Sequence, residues 1–213
     1  MPRRPSRNIM INKLRDVKIA KPIIGYVAEL TRSPVKLRGR YETIYKSLNN
    51  DALYELYNAF IKFESGTKGR YLEWRLANAI WWKLPKEWKE EVSDIKFDRK
   101  LLAKSGAIHE IDVVFLDLEE RPYIIGEAKA IKMINKDHIT KWISVVKDLA
   151  KYDEHNIKAA FFLTTGRYSD GAISMIKDEI NEDGKMGVRF LKSIIAYFLE
   201  ERTGGQIISV WPK

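Results

Sequence analysis

The chain has 213 residues, 45% hydrophobic and 31% charged, a balance that suits a globular core and excludes extended disorder. It has no cysteine, which excludes disulfides, zinc ribbons and thiol nucleophiles; its three histidines (His109, His138, His155) make no HExxH pattern, so any metal is expected on oxygen ligands that suit Mg2+ or Mn2+. The net charge of +9 lies entirely in residues 1–40, where eleven Lys or Arg stand against Asp16 and Glu29, and no apolar run approaches the roughly 20 residues of a membrane span, so an intracellular protein with a polyanionic partner is expected.

Residues 1–65 read as a basic, partly helical N-terminal extension, in which Arg3, Arg4, Arg7, Arg38 and Arg40 are candidate nucleic-acid contacts. The bland alternative is a solvated tail. Ile19 to Leu30 suits a strand or a short helix, and Ser33-Pro34 breaks whatever it forms. From Tyr41 to Phe63, Ile44, Leu48, Leu53, Leu56, Tyr57, Phe60 and Ile61 recur at helical spacing; Asn49-Asn50-Asp51 divides the run into two helices or one bent helix.

Residues 66–213 read as the second domain. A helix over 70–82 carries the stripe Leu72, Leu76, Ala79 and Ile80, with Glu73 beside it. Three strands are predicted at 92–97, 108–116 and 123–130, the last two forming a hairpin around Asp117 to Pro122. A helix over 138–152, a buried strand over 159–163, helices over 169–180 and 191–201, and a last strand over 206–210 complete the order. This is an α/β sandwich around a mixed sheet.

Side chains alternate along strands, so Glu110 and Asp112 share one face of theirs, and Glu127 and Lys129 share one face of the next. A hairpin centred between Glu119 and Glu120 sets position 112 opposite 127, and 110 opposite 129. Two carboxylates facing each other destabilise a sheet unless something neutralises them, and a divalent cation does so. Glu110 is either a further ligand or a salt-bridge partner for Lys129 or Lys104. The crowded tryptophans Trp74, Trp81, Trp82 and Trp88 suit core packing better than base stacking.

The segments Ile111-Asp-Val-Val114 and Gly126-Glu-Ala-Lys129 resemble the signature of the PD-(D/E)XK, restriction-endonuclease-like nucleases, with Ile111 where the motif has its proline. Gly69-Arg-Tyr-Leu-Glu73 resembles the first helix of the archaeal Holliday-junction resolvases in that superfamily, and the small size and thermophile-like composition resemble the nuclease of archaeal spindle-shaped viruses. The resemblance spans about residues 66–166 and implies an α-β-β-β-α-β core with a mixed central sheet flanked by helices. It implies Mg2+, replaceable by Mn2+, on Asp112, Glu127, the Ala128 carbonyl and Glu73, with Lys129 acting on the attacking water. Lys141 and Ser105 are possible substrate contacts, and Lys132 and Lys136 possible DNA contacts at a rim that is otherwise solvated. A homodimer acting on branched DNA, with no organic cofactor, completes the expectation. A DNA-binding scaffold without catalysis, or a nuclease acting on RNA or on ends, are the alternatives.

Overall fold

The computed structural model describes residues 4–63, 69–180, 185, 194–202 and 206–212. The chain divides into two compact units, Met1–Trp82 and Lys83–Lys213.

The N-terminal unit is built of helices α1 (Arg7–Arg15), α2 (Lys21–Leu30), α3 (Tyr41–Ser47), α4 (Asn50–Phe60) and α5 (Gly69–Lys83), the last ending at the unit boundary. The segment that sequence left open between strand and helix becomes α2. Pro22 is tolerated in a helix's first turn, and Ile23, Ile24, Val27 and Ala28 form one buried stripe. The break at Asn49 is a cap: its side chain accepts a hydrogen bond from the Ala52 N–H (2.8 Å), starting α4 where α3 has ended. Leu14, Ile23, Tyr45, Leu56 and Trp74 are fully buried, so the basic N-terminal segment belongs to a packed helical unit with its own core.

Two of its arginines hold that packing together. The Arg7 guanidinium donates to the Leu48 carbonyl (2.7 Å), the Lys46 carbonyl (2.9 Å) and Asn50 Oδ1 (2.9 Å). It thereby satisfies carbonyls that the end of α3 leaves unpaired. Arg4 pairs with Asp51 (2.8 Å) and lies over the Tyr54 ring. Arg3 falls outside the described residues.

The second unit carries α6 (Lys86–Glu90), β1 (Val92–Leu102), β2 (Ile108–Asp117), β3 (Pro122–Lys129), β4 (Met133–Ile134), α7 (Lys136–Ala150), β5 (Ala159–Thr164), β6 (Arg167–Tyr168), α8 (Asp170–Glu179), β7 (Ile195–Arg202) and β8 (Gln206–Trp211). Six strands form one mixed sheet in the order β1-β2-β3-β5-β7-β8, antiparallel at both margins and parallel through β3, β5 and β7. Parallel neighbours need a long crossover, which α7 supplies between β3 and β5. Its apolar stripe, Ile139, Trp142, Ile143, Val146 and Leu149, packs with Ala172 and Ile176 of α8 on Ile125, Ala160, Phe162 and Phe198 of the sheet. Near α6, Trp88 meets the Tyr123 ring edge-on at 6.1 Å. The result is a mixed α/β core with a central sheet flanked by helices.

One predicted helix is a strand. Residues 195–202 are β7, parallel to β5 from Ala159↔Ile195 to Thr164↔Glu200, and 191–193 fall outside the described residues. A short apolar run such as Ile194 to Leu199 fits either period, and here the backbone groups of β5 decide. β1 also runs five residues beyond its predicted end, because Arg99 to Leu102 pair with Ile111 to Ile108. Where β5 ends, a Cβ on Gly166 would lie 2.0 Å from the Ile131 carbonyl oxygen, so the chain leaving β3 packs on bare backbone that only glycine provides.

Candidate metal centre

The turn between β2 and β3 fixes the register of the site. Asp117 is buried; its Oδ1 accepts from the backbone N–H groups of Glu119 and Arg121 (both 2.9 Å), and its Oδ2 from the Asn156 amide (3.1 Å) and the Arg121 guanidinium (3.0 Å). Burial pushes this carboxyl up, but those donors outweigh it and hold it below the usual carboxylate range. With the turn pinned, Val113 pairs with Gly126, and the next position sets Asp112 opposite Glu127, the register that turn length predicted.

At that point the ladder gives way to a side-chain contact. The Ala128 N–H donates to Asp112 Oδ2 (2.7 Å). Lys129 forms an ion pair with Glu127. The Asp112 carboxyl is nonetheless pushed from 3.8 up to about 6, by burial first and by the neighbouring Glu127 charge second, with the Ala128 N–H and Lys129 opposing. Burial also works against the Lys129 charge, but Glu127 and Asp112 hold the ammonium above its ordinary value.

Sequence reading missed a third acid in the same row. Phe97↔Val113 and Arg99↔Ile111 place Asp98 opposite Asp112 across β1 and β2, and carboxylate oxygens of the two lie within 4.8 Å. Asp98 has φ 50°, a left-handed conformation that is uncommon for a non-glycine residue and occurs most often in turns or at functional sites. The available signal was an aspartate inside a β-rich run, a residue strands disfavour. Acids 98, 112 and 127 thus stand side by side on three adjacent strands of one sheet.

Asp112, Glu127 and Lys129 line a cleft of about 420 Å3 with Glu110, Lys141 and His138, and Trp142 and Phe162 contribute to its wall. Lys141 and Glu110 are therefore brought to the site. Glu110 is exposed and opposite Lys100 on β1, while Lys129 takes Glu127 as its partner. His138 is engaged in the cap of α7: its Nδ1 accepts from the Asn135 N–H (3.2 Å) and Asn135 Oδ1 accepts from the His138 N–H (3.2 Å). Ser105 sits in the β1–β2 turn and donates to Asp148 on α7, and His109 Nε2 lies 3.2 Å from the same carboxylate. Lys132 and Lys136 are exposed beyond the cleft lining, and Arg38 and Arg40 are exposed in the loop between α2 and α3. Glu73 is half-buried on α5 of the N-terminal unit, one turn after Gly69.

No protein-family model matches this sequence, and no curated protein does. Among solved structures, the chain is similar to the crystal structure of a repair endonuclease from Pyrococcus abyssi, at 18% identity and a TM-score of 0.31. The alignment covers 49% of this chain and 42% of that one, less than half of either. What the site itself defines is a row of clustered carboxylates beside a paired lysine, an arrangement able to hold a divalent cation. Among the described residues no helix is long and apolar enough to cross a membrane.

Proposed function

We propose that the chain is a Mg2+-dependent nuclease that hydrolyses DNA phosphodiester bonds internally, acting on branched or otherwise structured DNA. The observation that carries this reading is the Asp112–Glu127–Lys129 constellation, with Asp98 beside it. The residues fit a divalent cation. Asp112 is raised to about 6 by burial and then by the adjacent Glu127 carboxylate, which repels it, and hard oxygen ligands suit Mg2+ or Mn2+.

Asp112, Glu127 and the Ala128 carbonyl would hold the ion, with Asp98 as an additional ligand and Glu73 as the acid that the resemblance assigns to the first helix. When bound, the ion supplies a water of lowered pKa and charge neutralisation at the scissile phosphate. Lys129, kept protonated and oriented by Glu127, positions the attacking water and donates to the phosphate oxygens as negative charge grows on them. The Ala128 N–H fixes the Asp112 carboxylate in one orientation, so less reorganisation is needed when substrate arrives. Lys141, on the cleft wall, contacts a flanking phosphate. Symmetric cutting of a branched substrate calls for a homodimer, which the molar mass in solution tests.

The deciding experiment incubates the full chain with linear duplex, nicked duplex and four-way-junction DNA, and with RNA, in Mg2+, in EDTA, and as the Asp112→Ala variant. Metal-dependent cleavage of the junction that the variant lacks is expected. Binding without metal-dependent cleavage of any substrate, RNA included, would overturn the enzymatic reading in favour of a scaffold.

A further inference from the structure

Two sets of basic residues in the N-terminal unit stand in contrast. One group is consumed by the fold: Arg4, Arg7, Arg15, Lys46 and Arg70 all bind groups of the same unit. The second group lies on the segment 31–40 between α2 and α3, Thr-Arg-Ser-Pro-Val-Lys-Leu-Arg-Gly-Arg, which holds four cations and no acid. Exposure alternates strictly along residues 31–38, with Arg32, Pro34, Lys36 and Arg38 outward and Thr31, Ser33, Val35 and Leu37 partly covered. Thr31 and Arg32 form a turn, with Arg32 at φ 51°, and residues 33–37 follow it without helix or strand.

This segment is anchored along its length. The Ser33 N–H donates to the Ala28 carbonyl (2.7 Å), Ser33 Oγ accepts from the Asn49 N–H (2.6 Å), and the Asn49 amide donates to the Thr31 carbonyl (3.2 Å). Further on, the Lys36 N–H donates to Ser47 Oγ (3.1 Å) and Lys21 Nζ to the Gly39 carbonyl (3.4 Å). Leu37 packs onto the bare backbone of Gly25, where a Cβ would lie 3.1 Å from Leu37 Cδ1. At the far end Gly39, at φ 99°, turns the chain into α3. Neither Arg32, Lys36 nor Arg38 makes an ion pair among the described residues, while Arg40 lies in the field of Glu42.

Cations left unpaired on a backbone that is already fixed are matched to a rigid polyanion, since little conformational entropy is lost when they are engaged. A DNA strand offers a phosphate roughly every 3.4 Å of duplex axis, so each cation has a phosphate of its own within reach.

We infer that the segment 32–38 is a phosphate-backbone docking site for duplex DNA, with Arg32, Lys36 and Arg38 as its contacts. It reads no bases and serves to hold the duplex. The inference rests on the nucleic-acid reading of the chain and not on its catalytic part.

The test is salt-dependent binding of the full chain to a labelled DNA duplex in EDTA, followed by fluorescence anisotropy. In the R32A/K36A/R38A variant the slope of log affinity against log salt becomes shallower by about 2.7, so the wild-type advantage shrinks about 40-fold between roughly 50 and 200 mM NaCl. A control variant that removes three other exposed lysines, K104A/K151A/K177A, carries the same change in net charge and leaves the slope within one unit of wild type. R38Q alone, too mild to disturb folding, shifts the slope by about 0.9. Equal slopes for wild type and the first variant, or equal losses in the two triple variants, would overturn the docking site. So would a wild type that binds no duplex but sediments with phosphatidylserine vesicles. Because metal is absent, failure of the nuclease reading appears separately, as an intact slope without cleavage once Mg2+ is added.

Discussion

Replacing Asp112 with Asn should stabilise the metal-free protein and abolish its response to metal. The Asp112 carboxyl stands at about 6 against an ordinary 3.8, so its charged form is disfavoured in the fold by roughly 3 kcal/mol. Asn keeps the shape, and its carbonyl can still accept the Ala128 N–H that Asp112 Oδ2 accepts at 2.7 Å. Only the charge beside Glu127 is removed. A carboxyl raised in the folded state binds more protons there than in the unfolded chain. Its penalty is therefore complete above about pH 6 and fades as pH falls towards 4. Thermal unfolding in EDTA at neutral pH should place Asp112→Asn higher than wild type by up to roughly 3 kcal/mol, or about 6–12 °C at 2–4 °C per kcal/mol for a chain of this size. The difference should vanish near pH 4. Added Mg2+ closes most of that gap. Wild type gains about 2.7 kcal/mol at a hundredfold excess over Kd, while the variant gains little. A variant that melts below wild type in EDTA at neutral pH, or a difference that does not change with pH, would refute the account of Asp112 as a strained, unneutralised ligand.

Lys129→Met should lower cleavage by about a hundredfold or more while leaving duplex affinity in EDTA nearly unchanged, measured by single-turnover kinetics beside anisotropy; an equal loss in both would make Lys129 a binding residue. Gly166→Ala should destabilise the second unit by roughly 1–3 kcal/mol in denaturant unfolding, because a methyl group meets the backbone of 131–132 and has no side chain to push aside. Arg7→Ala should lower the melting temperature through loss of the carbonyl contacts at the end of α3, roughly 1–2 kcal/mol, with a smaller change in salt-dependent DNA binding than R38Q produces.

The residues show which parts of this molecule local chemistry determines. Asn49 starts α4 with its own side chain just after α3 has ended, and the register of β2 on β3 follows from the length of the turn that Asp117 organises, so Asp112 and Glu127 could be placed opposite each other by counting. Interactions within a few residues carry that information, and sequence contains them. What sequence could not contain is who else competes for a group. Arg4 and Arg7 look like free cations until Asp51 and the α3 carbonyls are brought against them. Ser105, a candidate substrate contact by its glycine-containing loop, is taken by Asp148 from a helix 43 residues away. β7 is a strand because β5 offers it hydrogen bonds, although its apolar run satisfies either period. Asp98 entered the acidic row only once the pairing of β1 with β2 was fixed. Pattern and turn chemistry, being local, determined the two central acids and the lysine; the third acid of the row and the division of basic residues between fold and surface depend on long-range pairing, which only the tertiary structure decided.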